Sequence, residues 1–258
     1  MRLLRRSNRQ LSNPVCGELL IFEQNQQFAT HSVNSKLRES LGLLKSRRRL
    51  ADGAIRMLIQ RSNDDLPGDD IHKYIEFWSG TRRILYTPCN DRDLYLAFSC
   101  LNKDLRARSL PIDKPLWQCS FPHLAKLLGR VEGEGRWDPF EVVKLHKWSS
   151  GRVAILGDAA HAQAPNLGQG GGCAMMNALG LAVALEQQSD DIEGALKTWE
   201  ARERPLTEHT QRIASTWSAL TTWPDSWRAI AFRLVGKSAR LNGMRLRTAR
   251  HVPTGAAP

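Results

Sequence analysis

The residues best suited to chemistry lie in one stretch, residues 151–187. There Gly157-Asp158 follows a short apolar run, and eleven residues later a Gly-Gln-Gly-Gly-Gly sequence begins at Gly168. A glycine run that opens a helix leaves backbone N–H groups free to bind an anionic or polar ligand. Asp158 would stand at the end of a strand, where α/β proteins collect their ligands. These residues therefore predict one half of a cofactor site.

The elements that position this site can be inferred from its flanks. Residues 153–156 contain two β-branched residues between glycines, which predicts a buried strand, and the Ala-, Leu- and Met-rich residues 173–187 predict a helix. An ordinary strand-loop-helix whose glycines only shape the turn is the alternative. Against this alternative, the segment has more glycines than one turn needs. This favours a backbone without side chains that a flat ligand can approach closely. The glycines are Gly157, Gly168, Gly170, Gly171 and Gly172.

The rest of the chain reads as a mixture of helices and an antiparallel sheet. An apolar stripe over residues 33–44 predicts a short helix capped by Ser35 or Asn34, while Arg47-Arg48-Arg49 is typical of a solvated turn. Segments rich in aromatic and β-branched residues predict strands. These segments are residues 19–22, 54–60, 74–78, 83–87, 94–100 and 137–148. The three at 74–100 form a meander that either encloses a substrate or seals the domain.

Two further helical regions are interrupted by prolines. Residues 111–129 predict a helix after Pro115, and Pro122 marks a new start or a kink. Its expected buried residues are Trp117, Phe121, Leu124, Leu127 and Leu128. Residues 192–220 predict a long helix that Pro205 should kink or divide.

Composition sets the class of protein. The 258 residues are 41% hydrophobic and 24% charged, which is typical of a soluble globular protein, and the apolar runs are too short to span a membrane. No apolar segment of a secretory signal follows the N-terminal arginines. Five scattered cysteines without a C-x-x-C pair argue against a disulfide framework or a zinc site. We therefore expect a cytoplasmic protein with no integral membrane segment and no metal site.

The net charge of +11 invites a nucleic-acid function, but its distribution argues against one. Four arginines in the first nine residues and seven Lys or Arg residues after Asp225 account for all of it, so the body of the chain is close to neutral. Basic ends of this kind are usually solvated tails. No zinc-finger spacing or RNA-recognition signature is present, so we expect no nucleic-acid partner.

The glycine-rich stretch resembles a known motif. Gly157-Asp158-Ala159-Ala160-His161, then Pro165, then Gly168-Gln169-Gly170 and an Ala/Leu helix, are similar to the GD-motif region of single-component FAD-dependent aromatic hydroxylases, the para-hydroxybenzoate hydroxylase-like flavoprotein monooxygenases. The resemblance is nearly complete over residues 151–185 and extends less sharply over residues 74–204.

The resemblance implies roles for these residues. Asp158, next to Gly157, would receive the ribityl or pyrophosphate part of FAD, and Pro165 would lie near the isoalloxazine ring. The amides of Gly168, Gln169, Gly170 and Gly171 would face the pyrimidine edge of the flavin. A helix N-terminus favours the negative charge that develops there on reduction. His161 would either contact the cofactor or cap the loop, and no catalytic acid, base or metal ligand is assigned because FAD carries the chemistry.

The sequence also departs from the family pattern. It has no G-x-G-x-x-G turn to hold the ADP part of FAD, and Cys173 occupies the last glycine position of the run at Gly168. Residues 34–38 match the second half of another family signature, in which Arg38 would contact cofactor phosphate or reductant. We therefore expect an N-terminally truncated member of the family.

The expected fold class is α/β (α+β), an incomplete FAD-binding domain with an antiparallel-sheet substrate domain and C-terminal helices. Residues 1–46 would be a remnant of the N-terminal FAD-binding region, 47–148 the substrate domain, 149–222 the GD-motif part with its helix, and 223–258 a basic tail. The expected function is hydroxylation of a small aromatic or related ring, with FAD as cofactor, NAD(P)H as reductant and O₂ as oxidant. The wall near residues 78–95 would face the substrate. The oligomeric state stays open.

Two rival hypotheses accompany this one. A non-enzymatic or decayed relative would fold but not hold FAD tightly, because a missing pyrophosphate cradle removes several hydrogen bonds to charged groups, each worth about 1.5–3 kcal/mol. A basic nucleic-acid-binding module is the third hypothesis, which the composition does not favour.

Overall fold

The computed structural model describes residues 33–133, 135–253 and 255–256, so the strand predicted at residues 19–22 lies outside it. The first helix, α1 (Lys36–Ser40), has Ser35 as its N-cap. The Ser35 hydroxyl accepts a hydrogen bond from the Arg38 N–H at 3.2 Å. This bond satisfies one of the amides that a helix start leaves free, and it selects Ser35 from the two predicted caps.

A five-stranded antiparallel sheet follows. Its strands are β1 (Leu44–Gln60), β2 (Ile75–Ser79), β3 (Arg82–Pro88), β4 (Asp93–Leu101) and β5 (Arg136–Leu145). Their order across the sheet is β2-β3-β4-β1-β5, and every neighbouring pair is antiparallel. The predicted meander is therefore confirmed as β2 to β4, with β1 inserted between β4 and β5. The domain boundaries expected at residues 46 and 148 stay predictions.

The solvated turn predicted at Arg47-Arg48-Arg49 is wrong. These arginines lie within β1, paired with β5, and all three are exposed. The Arg47 guanidinium donates to Glu141 of β5 at 2.6 Å, and the Arg49 guanidinium lies 3.7 Å from the same carboxylate. Cross-strand pairs of opposite charge support an exposed strand, so a basic cluster is compatible with a β ladder here.

Side-chain alternation gives the sheet two different faces. On one face, which we call the back, β1, β3 and β4 contribute apolar side chains. They include Ile55, Ile84, Tyr86, Leu94, Leu96, Phe98 and Cys100, each at most 1% exposed. The opposite face, the front, carries Arg56, Arg83, Tyr95, Ser99 and Asp138, which alternate with the back residues along the same strands.

Two short helices cover the back of the sheet. They are α2 (Lys114–Ser120) and α3 (Ala125–Gly129), joined by a 3₁₀ turn at Pro122–Leu124. The five residues predicted to form their buried face are all buried. The Trp117 ring meets Phe98 edge-to-face and stacks on Phe121, and its indole N–H donates to the Ala107 carbonyl at 3.1 Å. A dry core therefore anchors the sheet from behind.

The front of the sheet meets the glycine-rich segment and its helices. After the short hairpin β6 (Ser149–Ser150) and β7 (Val153–Ala154) come α4 (Asp158–His161), α5 (Gly170–Gln187) and α6 (Ile192–Ala219). The predicted strand at residues 153–156 is thus only two residues long, while the predicted helix starts at Gly170. A core that includes Trp148, Leu181 and Trp199 joins these elements.

Pro205 does not divide the long helix. Helix α6 runs unbroken through it for 28 residues. A proline removes one backbone hydrogen bond, but packing of the helix can offset that loss. Here the buried Leu196 and Trp199 on one side of Pro205 and the buried Ala214 on the other hold the helix against its neighbours.

The segment interpreted as a basic tail contains regular helices. They are α7 (Asp225–Lys237) and α8 (Ala239–Leu246), followed by a 3₁₀ turn at Thr248–Arg250. Helix α7 is attached to the sheet through Trp78 of β2, which is 5.8 Å from the Phe232 ring. None of the helices described is long and apolar enough to cross a membrane.

Candidate cofactor site

Gly157 turns the chain from β7 into α4. Its backbone has φ 60° and ψ −147°, a conformation that essentially only glycine adopts without strain. A Cβ there would lie 3.8 Å from the Ala174 side chain, which is ordinary contact, so conformation rather than space requires the glycine. The Gly157 carbonyl then accepts the N–H groups of Ala160 and His161 at 3.0 and 2.9 Å. The turn places Asp158 at the start of α4.

Asp158 carries a half-buried carboxyl group that has no partner in the part of the chain that the structure describes. Burial raises the pKa of Asp158, and attraction to the Arg56 guanidinium opposes that rise. Within residues 33–256, as far as they are described, the Asp158 side chain makes no hydrogen bond or ion pair. A carboxyl group withdrawn from water normally finds a partner. A ligand with hydroxyl or amide donors would supply one.

The glycine run at residues 168–172 is open on one side, and we call it the cradle. Gly168 has φ 64° and follows a 3₁₀ turn at Pro165–Leu167, and its N–H donates to the Pro165 carbonyl at 2.9 Å. Helix α5 starts two residues later, and the Gln169 side chain does not cap it. A Cβ added at Gly168, Gly171 or Gly172 would meet no atom within 4 Å. The backbone of these glycines is therefore open to solvent on the side where a side chain would stand.

Two side chains beside this cradle have buried polar atoms with no hydrogen-bond partner in the described part of the chain. They are the carbonyl oxygen of Gln163 and the amide nitrogen of Asn166. The Gln163 nitrogen contacts the Cys173 sulfur at 3.8 Å, so this side chain is fixed at the first turn of α5. The Gln163 oxygen can therefore accept, and the Asn166 nitrogen can donate, a hydrogen bond to a ligand that has both donors and acceptors on its edge.

Arg83 connects the front of the sheet to the cradle, and its role is not predicted by the sequence. Its guanidinium donates to the Asn166 side-chain oxygen at 2.7 Å and to the Ser99 hydroxyl at 3.4 Å. It also lies 5.1 Å from the centre of the Trp78 ring and is 5% exposed. The signal available in the sequence was its two-residue alternation with Leu85, which places both on the front.

A second polar group on the front lies near Asp158. Arg56 donates to Asp138 at 2.9 Å, and attraction to its guanidinium opposes the rise that burial causes in the Tyr95 pKa. The same guanidinium acts on the Asp158 pKa. The front therefore brings a cation, a phenol and carboxyl groups to the GD turn, a set suited to orienting a polar aromatic ligand.

His161 lies in the packed core. It is 2% exposed, its ring centre is 5.3 Å from that of Trp148, and its Nε2 lies 2.9 Å from the Asn177 amide nitrogen. Burial lowers the pKa of His161 to about 4. A neutral imidazole that accepts from Asn177 explains this arrangement. Of the two predicted roles, this environment supports a structural one.

Arg38 holds the GD turn from behind. The buried guanidinium donates to the Ala159 carbonyl at 2.9 Å and to the Val33 carbonyl at 2.8 Å. These bonds join α1 to α4 and orient the helix that begins with Asp158. Direct contact of Arg38 with a cofactor phosphate or a reductant stays a prediction.

Of the predicted site residues, Gly157 and Asp158 form the turn into α4, and Pro165 and the run from Gly168 to Gly171 form the 3₁₀ turn and the start of α5. Their joint role as a cofactor site stays a prediction. The structure separates His161 and Arg38 from that turn and run by their core and backbone contacts. No group of three or more metal-ligating side chains occurs in the described part of the chain.

Comparison with known proteins identifies the class. The family described as "FAD binding domain" matches residues 127–213, which include β5, the GD turn, the cradle and most of α6. With the sheet and site described above, this match makes the chain similar to the FAD-dependent aromatic hydroxylase-like monooxygenases.

Individual relatives resemble most of this chain. The chain is 40% identical over 212 residues to 2-heptyl-3-hydroxy-4(1H)-quinolone synthase of Mycobacteroides abscessus, covering 81% of this chain and 56% of that protein. A Rhodococcus erythropolis protein whose name makes it a candidate for the same activity is 43% identical over 223 residues, covering 86% and 58%. The chain therefore spans little more than half the length of these curated relatives.

Solved structures show the same fold. The tetrameric form of 2-methyl-3-hydroxypyridine-5-carboxylic acid oxygenase matches with a TM-score of 0.73 and 36% identity, over 86% of this chain and 57% of that one. The Klebsiella pneumoniae protein HpxO, complexed with FAD and uric acid, matches with a TM-score of 0.71 and 24% identity, over 84% and 58%. At that identity the second match supports the fold alone.

The residues present fit the flavin part of FAD. The open space at Gly168, Gly171 and Gly172 admits a flat group against the backbone, and the unpartnered atoms of Gln163 and Asn166 offer hydrogen bonds to its edge. A G-x-G-x-x-G turn for the ADP part does not occur in the sequence.

Proposed function

We propose that this chain provides the flavin-facing and substrate-facing parts of an FAD-dependent monooxygenase that hydroxylates a small aromatic ring, with NAD(P)H as the reductant. The observation that carries the proposal is the open cradle at Gly168–Gly172, bordered by unpartnered polar atoms of Gln163 and Asn166. The family assignment supports FAD as the ligand of this cradle.

Each residue around the cradle would have a defined task. The amides at the start of α5 would stabilise negative charge on the ring, by roughly 1 kcal/mol or more for a partly buried placement. Asp158 would accept hydrogen bonds from the hydroxyl groups of the ribityl chain or orient the pyrophosphate. Gln163 and Asn166 would fix the ring edge. Bound FAD would supply the redox chemistry, which the protein positions and shields from water.

The front of the sheet would bind the substrate. Arg56, Tyr95 and Arg83 present two cations and a phenol toward the cradle, so an aromatic ring with hydroxyl, oxo or carboxylate groups is the class that they suit. The names of the relatives describe a hydroxypyridine carboxylic acid and a hydroxyquinolone. We therefore propose a nitrogen-containing aromatic ring bearing oxygen substituents as the substrate.

A flavin-binding titration tests the cofactor assignment. FAD is added to the purified 258-residue chain, bound flavin is measured by fluorescence quenching, and retention of its visible bands is checked by gel filtration. We expect saturable binding that Asp158→Asn weakens about tenfold, because a hydrogen bond to a charged group is worth roughly 1.5–3 kcal/mol. Asp69→Asn is the matched control, since Asp69 is exposed in the turn between β1 and β2.

The outcomes separate the two hypotheses about this chain. Retained flavin with selective weakening by Asp158→Asn supports the proposal. Flavin that is not bound even at high concentration would support the decayed relative instead. Equal weakening by both substitutions would show that the effect comes from net charge and would remove Asp158 from the site.

A further inference from the structure

A second cavity lies far along the chain from the GD turn, between α6 and the C-terminal segment. Its volume is about 540 Å³, within the range of small-molecule sites. We call it the basic groove, because four arginines and two histidines line it. These residues are Arg202, Arg212, Arg247, Arg250, His209 and His251. None of its lining residues belongs to the cofactor site described above.

The four arginines of the basic groove have no acidic partner among the residues that the structure describes. No aspartate or glutamate lines the groove. Arg202 donates to the Gln187 side-chain oxygen at 3.1 Å, whereas Arg212, Arg247 and Arg250 make no side-chain hydrogen bond or ion pair with the residues that the structure describes. Arginine does not lose its proton in proteins, so the cations repel one another unless an anion lies between them.

The two walls of the basic groove are fastened together. Thr210 of α6 is hydrogen-bonded to Thr248, and both are buried. The His209 ring lies 3.2 Å from the Met244 carbonyl, and the His251 ring lies 3.3 Å from the buried carboxylate of Glu203. The C-terminal segment is therefore seated on α6 by several polar contacts, which makes the groove a built feature.

We propose that the basic groove binds a small phosphorylated ligand with at least two phosphate groups, such as a nucleoside diphosphate. The arginines come from both walls and can each clasp phosphate oxygens with two parallel N–H groups. Arg202 and Arg212 are ten residues apart on α6, or about 15 Å along its axis, so the positive charge is spread over a length that a ligand with more than one anionic group can follow. Pro205 and Leu206 add apolar surface for the uncharged part of the ligand.

Calorimetric titration of the 258-residue chain with ADP and with inorganic pyrophosphate tests this site without any flavin. We expect both to bind, and Arg212→Ala/Arg247→Ala to raise their Kd by about tenfold or more, as the loss of charge-assisted hydrogen bonds predicts. The matched control is Arg233→Ala/Lys237→Ala, which removes the same charge from exposed positions of α7 outside the groove. The control should leave both Kd values within about twofold, because screened surface charges contribute little.

Arg212→Lys/Arg247→Lys guards against a folding artefact, since it keeps the charge and removes only the paired N–H geometry. It should weaken ADP binding by less than the alanine pair while circular dichroism stays unchanged. The proposal is overturned if the unaltered chain does not bind ADP or pyrophosphate, if both alanine pairs weaken binding equally, or if orthophosphate binds as tightly as ADP. Displacement of ADP by single-stranded DNA, with equal sensitivity to the α7 control, would also overturn it in favour of nucleic acid.

Discussion

The same strands form both faces of the five-stranded sheet, but the two faces have different roles. On the back, Ile84, Leu96 and Phe98 meet Trp117 in a core that is almost free of water. On the front, their sequence neighbours Arg83, Tyr95 and Ser99 face the glycine cradle. Alternation with a period of two lets one strand contribute to both.

The two faces differ in whether their buried polar groups find hydrogen-bond partners within the chain. The buried indole N–H of Trp117 on the back has its partner in the Ala107 carbonyl. At the front, Gln163 and Asn166 retain buried polar atoms without partners among the described residues, and the half-buried Asp158 carboxyl makes no hydrogen bond to them. Since unpaired buried polar groups cost stability, a face that keeps them is one arranged for a ligand. The back should therefore determine stability and the front binding.

The largest expected effect on stability comes from a substitution in the core on the back of the sheet. Trp117→Ala should lower the free energy of unfolding by about 3–5 kcal/mol, because a fully buried aromatic ring leaves a cavity. Trp227→Ala is the control, since Trp227 is 64% exposed and its loss should cost under about 0.5 kcal/mol. Urea denaturation measures both. Equal costs for the two tryptophans would contradict the assignment of the back as the stabilising face.

The next effect concerns His161 of α4, whose Nε2 is paired with Asn177 and whose ring is buried. The pKa of His161 falls from 6.5 to about 4 on folding, so the unfolded chain binds more protons between these pH values. Stability should therefore be intact above pH 6.5 and decrease by up to roughly 3 kcal/mol as the pH falls to 4. Denaturation midpoints across this range measure it.

His161→Gln should flatten that dependence, whereas His146→Gln should not, since His146 is exposed. An unchanged pH profile in His161→Gln would show that other groups cause the acid sensitivity.

The smallest effect compares neighbours in β3 that point to opposite faces. Arg83→Gln removes charged hydrogen bonds to Asn166 and Ser99 and should cost about 1.5–3 kcal/mol, with faster hydrogen exchange at residues 165–172. Arg82→Gln instead removes bonds to Asp104 and Ser120 and should leave that exchange unchanged. Hydrogen-exchange mass spectrometry measures both variants. Faster exchange at residues 165–172 in both would show that the contacts of Arg83 do not specifically stabilise the cradle.

Local patterns in the sequence predicted much of this fold. The meander, the buried face of α2 and α3, and the helix after the glycine run all depend on spacing within one segment. The glycines and Asp158 were recognisable as a group because they lie close together in sequence, and their role as one cofactor site stays a prediction.

The features that were missed depend on distant partners. The arginines at 47–49 form part of a strand only because β5 lies beside them, almost a hundred residues away. Arg83 acquires its contact with Asn166 across 83 residues. Helix α7 forms where composition indicated a tail, and Trp78 of the sheet packs against it. A single sequence does not encode such pairings as a local pattern.

Gln211 shows how narrowly some positions of this fold constrain evolution. Its side-chain nitrogen donates both hydrogens, one to the Val143 carbonyl at 2.8 Å and one to the Ala162 carbonyl at 3.0 Å, and so ties α6, β5 and the end of α4 together. Glutamate has nearly the same shape but at neutral pH carries only acceptors, so it would set a negative oxygen against two carbonyls. At this buried position, Gln211→Glu should therefore destabilise the fold more than many larger substitutions elsewhere. Few substitutions should be tolerated at residue 211.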